Sequence, residues 1–584
     1  MNQACRSNLA LLMVLAGGLA QAQQTAPATV TPNPADEGIP VTDPLVTGKC
    51  GTCHKQDDKG NLSRISYARS APEGWEEAIK RMVRLNGLTL TPVEAKAILK
   101  YLSSNHGLAP EEAKAVFYMA EHRIIDEPVL NETARGTCTV CHAIGKGLIW
   151  RRTKDDWKLL TNMHVAFFAQ ADQAFRTGCG ASANCQRPAQ AQPGAGRAAA
   201  PTLPIYTTID WLAKDYGLHS PEWASWQPRM RAPKLAGRWL ISAHVIGKGD
   251  FTGEMTISPG VADDEFTTRV KLVSLIDGKS VERSGTGLVY AGYSWRGRSK
   301  GTAVAANAAP GDLSREMREA IWFSPDQTSG EGRLFWGEYQ EFGVDLKLRR
   351  ITADPLVTSL SRTSLKAGTV TQRIRLIGAN FPVDATAADI DFGPGITVKT
   401  LVSKSATELV ADVDVAASAT PGKRDAAFRR AILQGALAVY DHIDYLKIAP
   451  DATIARLGSE VHPKGYQQFE AIGYHRGPDG KPNTADDVML GVVDASWSLE
   501  EYMAVYGDDD KEFVGSLSAT GFFTPSLDGP NPARKASKNN YGDVWVVATA
   551  KTEKDAAGSP LLAKSYLVVT VPSYVRWDQP EVEK

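Results

Sequence analysis

Hydrophobic spacing along the chain has two textures, and the change falls near Trp226. Upstream, apolar residues recur three and four apart behind tryptophans. "GWEEAIKRM", with Trp75, and "DWKLLTNMH", with Trp157, read as amphipathic helices. Each is followed by a shorter helical pattern that ends at glycine, in "YLSSNHGLAPEE" and "DWLAKDYGLHSPEW". Aligning Arg69 with Arg151 sets Trp75 on Trp157, and Leu102, Gly107 and Leu108 then fall near Leu212, Gly217 and Leu218. This self-similarity predicts one small all-helical unit used twice. Downstream, "RWLISAHVIGKGDFTGEMTISPG" and "DVWVVATAK" alternate apolar and polar positions between Gly and Asp turns, the signature of strands.

The predicted organisation is a helical N-terminal region over 23–230 followed by three all-β domains. These are an antiparallel barrel over 231–352 with one short helical break at Met317–Trp322, an immunoglobulin-like sandwich over 353–446, and a C-terminal β-sandwich over 447–584. The second helical unit is longer than the first. Its extra material, an insertion over about 171–203, is rich in Ala, Pro, Gln and Gly and reads as a surface excursion. Cys179 and Cys185 lie in it, near enough in sequence to close a small disulfide loop.

The first 22 residues combine an early Arg6, an apolar run from Leu9 to Leu19, and Ala20-Gln21-Ala22. That is a secretory signal peptide, and it directs the mature chain out of the cytoplasm, to the periplasm. No other stretch approaches the roughly 18 apolar residues of a membrane span, so no membrane insertion is expected. A net charge of -1 over 584 residues creates no strong field toward nucleic acid or anionic lipid.

Export leaves six cysteines, and four of them are spaced for chemistry. Cys50-Gly51-Thr52-Cys53-His54 and Cys138-Thr139-Val140-Cys141-His142 are both Cys-x-x-Cys-His, the attachment pattern of c-type haem. Two thiols one turn apart add to the two vinyl groups, and the adjacent histidine reaches the iron. Zinc would call for further paired Cys or His at metal spacing. The expected metal ligands are therefore His54 and His142, each needing a partner on the opposite side. Met82 stands seven residues after Trp75, and His164 seven after Trp157, which gives a His54/Met82 site and a His142/His164 site. Neighbouring helical residues diverge by about 100°, so Met163 and His164 cannot serve one iron together; Met163 is the alternative. Thioether ligation raises a haem potential relative to bis-histidine, so electrons would run downhill from the second centre to the first.

Other polar features read more plainly. Asp479, Asn483, Asp486 and Asp487 lack the EF-hand spacing and suit a polar hairpin loop. Asp508-Asp509-Asp510 reads as a solvated turn. His106, His122, His219, His244, His442, His462 and His475 are scattered, surface or core histidines. No phosphate loop, dinucleotide fingerprint or nucleophile elbow occurs.

Tandem "CGTCH" and "CTVCH" segments, "GWEEAIKRM", "DWKLLTNMH" and a three-domain β tail together resemble the alpha subunit of the quinohaemoprotein amine dehydrogenases, over essentially the whole mature chain. The insertion with Cys179 and Cys185 departs from the family pattern. The resemblance implies a periplasmic heterotrimer that oxidatively deaminates primary amines. A cysteine tryptophylquinone would sit in a small, thioether-crosslinked gamma subunit beside a beta-propeller subunit. This dihaem cytochrome c chain would carry electrons to a soluble cytochrome c or blue copper protein. Once four cysteines hold haem, no set of spare cysteines remains here for a quinone, so no catalytic residue is expected in this chain. Two other readings stay open at this point: a self-contained dihaem peroxidase, which needs a vacant iron position, and a dihaem scaffold that binds a partner.

Overall fold

Proline and short capping side chains set the helix starts of the N-terminal region. Pro44, Pro72, Pro92 and Pro204 occupy first-turn positions, where a missing N–H costs nothing. Asp43, Thr91 and Thr153 accept hydrogen bonds from free first-turn amides. The computed structural model describes residues 36–121, 127, 131–139, 141–178, 202–303, 307–503 and 507–572. The expected signal segment 1–22, His122 and the expected Cys179–Cys185 pair lie outside the described residues.

The two helical units meet across a short antiparallel ribbon. Strand Ala68–Ser70 pairs with Trp150–Arg152, and Arg69 stands directly opposite Arg151. These are the residues that the internal alignment equates, so the units are related by a local pseudo-twofold axis through the ribbon. The reciprocal bonds agree: Ala71 N donates to Ile149 O (3.2 Å) and Thr153 N to Tyr67 O (3.4 Å). Likewise Ser70 N donates to His106 O and Arg152 N to Tyr216 O. The two tryptophans do the same, Trp75 Nε1 to His106 O at 2.8 Å and Trp157 Nε1 to Tyr216 O at 3.3 Å.

Behind the ribbon lies a buried charge network. Glu112 takes Arg69 at 2.8 and 2.9 Å, Arg151 at 3.2 Å and the Ser220 hydroxyl at 2.8 Å. Burial alone would raise this carboxyl, but the hydrogen bond and charge of Arg69 and the charge of Arg151 hold it down at about 2. Arg152 pairs with buried Asp156, which also takes Arg64 at 2.7 Å.

Eight antiparallel strands between Gly237 and Arg350 form a closed barrel, sealed where Phe342–Arg350 pairs with Gly237–Val245. Trp239, Met255, Trp295, Ile321, Phe323, Val344 and Leu348 fill it. The helical break expected at Met317–Trp322 is instead a barrel strand, Met317–Phe323, paired on both sides. Its Met, Arg, Glu and Ala favour helix locally, but alternate residues turn inward and barrel packing overrides that preference. Glu319, fully buried there, accepts the Trp295 indole N–H at 3.0 Å.

The barrel is fastened to the helical region. Lys96–Glu265 and Lys100–Asp264 close at 2.8 Å and Arg296–Glu73 at 2.5 Å. Tyr293 Oη donates to Leu108 O and Trp322 Nε1 to Pro110 O, both at 2.9 Å. Next come two four-stranded sheets around Ile374, Leu376, Phe392, Leu409 and Phe428, a sandwich. The last region has three sheets, of three, four and three strands, packed on Phe469, Phe523, Val544, Val546 and Leu567.

The extra material of the second unit begins with a helix that has no counterpart between Asn86 and Pro92 of the first. Residues 169–177 form a helix whose Ala171, Ala174 and Phe175 are buried against Trp157 and Ile209. The spacing of those three residues makes an apolar helical face.

Candidate functional site

Each Cys-x-x-Cys-His segment begins on the end of a short helix. In the first unit, helix Pro44–Cys50 delivers Cys50, and the chain then turns tightly: Cys53 N and His54 N both donate to Cys50 O, at 3.1 and 2.9 Å. In the second, Asn131 caps helix Glu132–Cys138 through Ala134 N, and Cys141 and His142 follow. Cys53 and Cys141 are exposed, whereas Cys50 and Cys138 are partly covered. Burial pushes the Cys50 and Cys138 thiols up, Cys50 further through neighbouring Cys53.

The histidines share one arrangement. Nδ1 of His54 lies 2.8 Å from Ser63 O, Nδ1 of His142 2.8 Å from Ala143 O, and Nδ1 of His164 2.8 Å from Leu160 O. A carbonyl accepts only an N–H, so each ring carries its proton on Nδ1 and keeps the Nε2 lone pair for a metal. The His142 and His164 rings lie side by side in space, with centroids 6.4 Å apart and planes tilted by 45°. Two iron–nitrogen bonds of about 2 Å, plus roughly 1.1 Å from each nitrogen to its ring centre, give about 6 Å. The donor set and spacing thus fit an iron between these rings, and the paired thiols fit a covalently held haem. Phe168 and Phe175 flank His164 at 6.2 and 6.4 Å.

Met82 and His54 are half-buried in the first unit. The Met82 Sδ receives the Asn86 amide at 3.6 Å. Beyond Met82 its helix carries exposed apolar residues, Val83 and Leu85. Met163 is half-buried one position before His164.

Outside these centres the polar features take the following places. His106 is a fully buried core histidine that burial holds down at about 4. His244 bridges Asp250 and Glu470 at 2.7 Å each. Asp510 is buried under Arg534 and Lys538, which makes an ion-pair knot out of the expected solvated turn. Asp487, by contrast, sits in a polar hairpin loop, where it accepts from Tyr445 Oη, Thr484 N and Gly477 N.

One packing detail separates the units. Gly48 and Gly136 hold the same position, two residues before the first motif cysteine. A Cβ on Gly48 would meet nothing within 4 Å, but one on Gly136 would lie 1.7 Å from Gly178 O, at the end of helix Ala169–Thr177. Gly136→Ala should destabilise the second unit by about 2 kcal/mol or more. Gly48→Ala should be neutral, and thermal unfolding followed in the haem absorption band checks both.

A helical haem-binding region leading three β domains defines this chain as a multidomain haem protein. Four family models match it in order: "Quinohemoprotein amine dehydrogenase A, alpha subunit, haem binding" over 41–177, and alpha subunit domains II, III and IV over 232–351, 354–441 and 446–582. The chain belongs to the family of quinohaemoprotein amine dehydrogenase alpha subunits. No curated protein sequence matches it. Among solved structures, a designed fluorescence-activating β-barrel shares 19% identity over 20% of this chain and 93% of its own, with a TM-score of 0.16. The amine binding protein of Rhodnius prolixus, in its tryptamine complex, shares 7% over 20% and 63%, with a TM-score of 0.16. Human protocadherin-24 EC1-2 shares 12% over 38% and 100%, with a TM-score of 0.15. At such TM-scores these likenesses carry no functional weight.

Proposed function

We propose that this chain is the electron-transfer subunit of a periplasmic amine dehydrogenase, exported by its signal peptide and assembled with a beta-propeller subunit and a small quinone-bearing gamma subunit. The observation that carries the reading is the repeated site: two Cys-x-x-Cys-His turns, each with its histidine Nδ1 anchored on a carbonyl, in units joined back to back. Cys50, Cys53, Cys138 and Cys141 would hold two haem c groups, with His54 and Met82 supplying donors to one iron and His142 and His164 to the other. Bound there, haem iron supplies one-electron oxidation and reduction. Oxidation of a primary amine with water to aldehyde and ammonia releases two electrons and two protons, one electron for each iron. A soluble cytochrome c or blue copper protein is the acceptor.

The chain's own residues fix orientation and screen charge. Carbonyls of Ser63, Ala143 and Leu160 hold the imidazoles in the tautomer that binds metal. The ribbon at Arg69 and Arg151 keeps the two units in one fixed relation, with Trp75 and Trp150 in edge contact at 5.2 Å beside it.

The test is anaerobic reduction of the haem by a simple primary amine, run on the chain alone and on the chain purified with its native companions. Reduction only in the accompanied sample is expected. Reduction of the chain alone would place amine chemistry here, and reduction in neither would favour a peroxidase or scaffold.

A further inference from the structure

Where the chain passes from the immunoglobulin-like sandwich to the last β region, three residues close in sequence meet a fourth from some thirty positions further on. Asp441, His442 and Asp444 lie between strands Ala431–Tyr440 and Tyr445–Ala449, and His475 ends strand Glu470–His475. Asp441 Oδ1 is 2.8 Å from His442 Nδ1 and 3.2 Å from His475 Nε2. The three atoms all lie within 4.8 Å of one another. Metal bonds of 2.0–2.1 Å in a tetrahedral site put neighbouring donor atoms about 3.3 Å apart, close to the 2.8 and 3.2 Å that separate Asp441 Oδ1 from the two imidazole nitrogens.

Asp444 stands behind both rings. Its Oδ1 is 3.0 Å from His442 Nε2 and its Oδ2 4.0 Å from His475 Nδ1. A carboxylate behind a histidine holds the far N–H and turns the near lone pair toward a metal. The ring centroids are only 5.2 Å apart, a distance at which two imidazolium cations would repel. A single divalent ion between the rings would satisfy the same atoms. Among the described residues no lysine or arginine side chain pairs with Asp441 or Asp444. The acidic run Asp508–Asp510 differs in this respect, because Arg534 and Lys538 already neutralise it.

We propose that Asp441, His442 and His475 form a binding site for a divalent transition metal, zinc first, with Asp444 as the positioning residue. Imidazole with one carboxylate suits zinc, and the half-exposed His442 and Asp441 leave the fourth position to water. The ion would fasten the linker between two domains to the end of the central strand Glu470–His475, a structural role.

The experiment is zinc binding to the full haem-loaded chain, stripped with chelator and measured by equilibrium dialysis and elemental analysis. One zinc per chain is expected, lost in His475→Ala and in His442→Ala with haem content and thermal unfolding otherwise retained. Asp444→Asn should weaken binding by about 10- to 100-fold. Zinc should also slow proteolytic cleavage near residues 441–444 in the parent chain but not in His475→Ala. Absence of binding by the parent chain, or unchanged stoichiometry in folded His475→Ala, overturns the site. Neither result bears on amine-driven reduction.

Discussion

Glu112→Ala unfolds the helical haem-binding region well before the β domains. The carboxylate is the shared counterion of two buried guanidiniums, Arg69 at 0% side-chain exposure and Arg151 at 6%, and removing it leaves both uncompensated. Breaking a buried pair from one side costs about 3–5 kcal/mol, against about 1 kcal/mol or less for a surface pair. Surface pairs such as Lys158–Asp155 therefore serve as controls. The same network sets an acid limit. The Glu112 carboxyl lies at about 2 in the fold, against roughly 4.3 in an unfolded chain. A depressed carboxyl stabilises the fold above its unfolded value and loses that contribution as pH falls through the folded one. The contribution, about 3 kcal/mol at neutral pH, should therefore disappear between about pH 4 and pH 2. Haem-band circular dichroism against pH, in the parent and in Glu112→Gln, measures it. A parent and a Gln variant with the same acid profile would remove Glu112 from the account.

The parts of this molecule legible in sequence are those whose chemistry demands local spacing. Covalent attachment needs two thiols one turn apart and an adjacent histidine, so Cys50, Cys53 and His54 declare themselves within five residues. The internal repeat was equally readable, because Trp75 and Trp157 fill the same place in both units; the alignment of Arg69 with Arg151 even names the residues that the fold sets opposite each other. Tertiary decisions were not readable. Nothing in the spacing of Glu112 marks it as counterion to arginines 43 and 39 positions away. Met317–Phe323 carries helix-forming letters and becomes a strand because the barrel needs it. A low-complexity stretch obscures the buried face of helix Ala169–Thr177. His442 and His475 are remote in sequence, and strand pairing alone brings them to one carboxylate oxygen.

His164→Ala should convert the second centre while leaving its haem attached. In the proposed site attachment would rest on Cys138, at the end of another helix, and on Cys141 in the turn after it, so haem content per chain should stay constant. The sixth ligand does not survive, because alanine offers no donor opposite His142, now 6.4 Å away ring to ring. The low-spin bis-histidine resonance of that haem should vanish, replaced by a five-coordinate signal or by methionine ligation from Met163, with a higher potential in the latter case. Met163→Ala alone should change neither signal nor potential. Its side chain leaves the helix about 100° round from that of His164, whose Nδ1 is already fixed by Leu160 O. Met82→Ala gives the reciprocal result in the first unit: the sulfur-to-iron charge-transfer band is lost and the bis-histidine resonance is untouched. If instead Met163→Ala abolishes the second centre's signal and His164→Ala does not, the two neighbours exchange roles. The carbonyl contact of His164 would then be a helix-surface bond with no bearing on the metal.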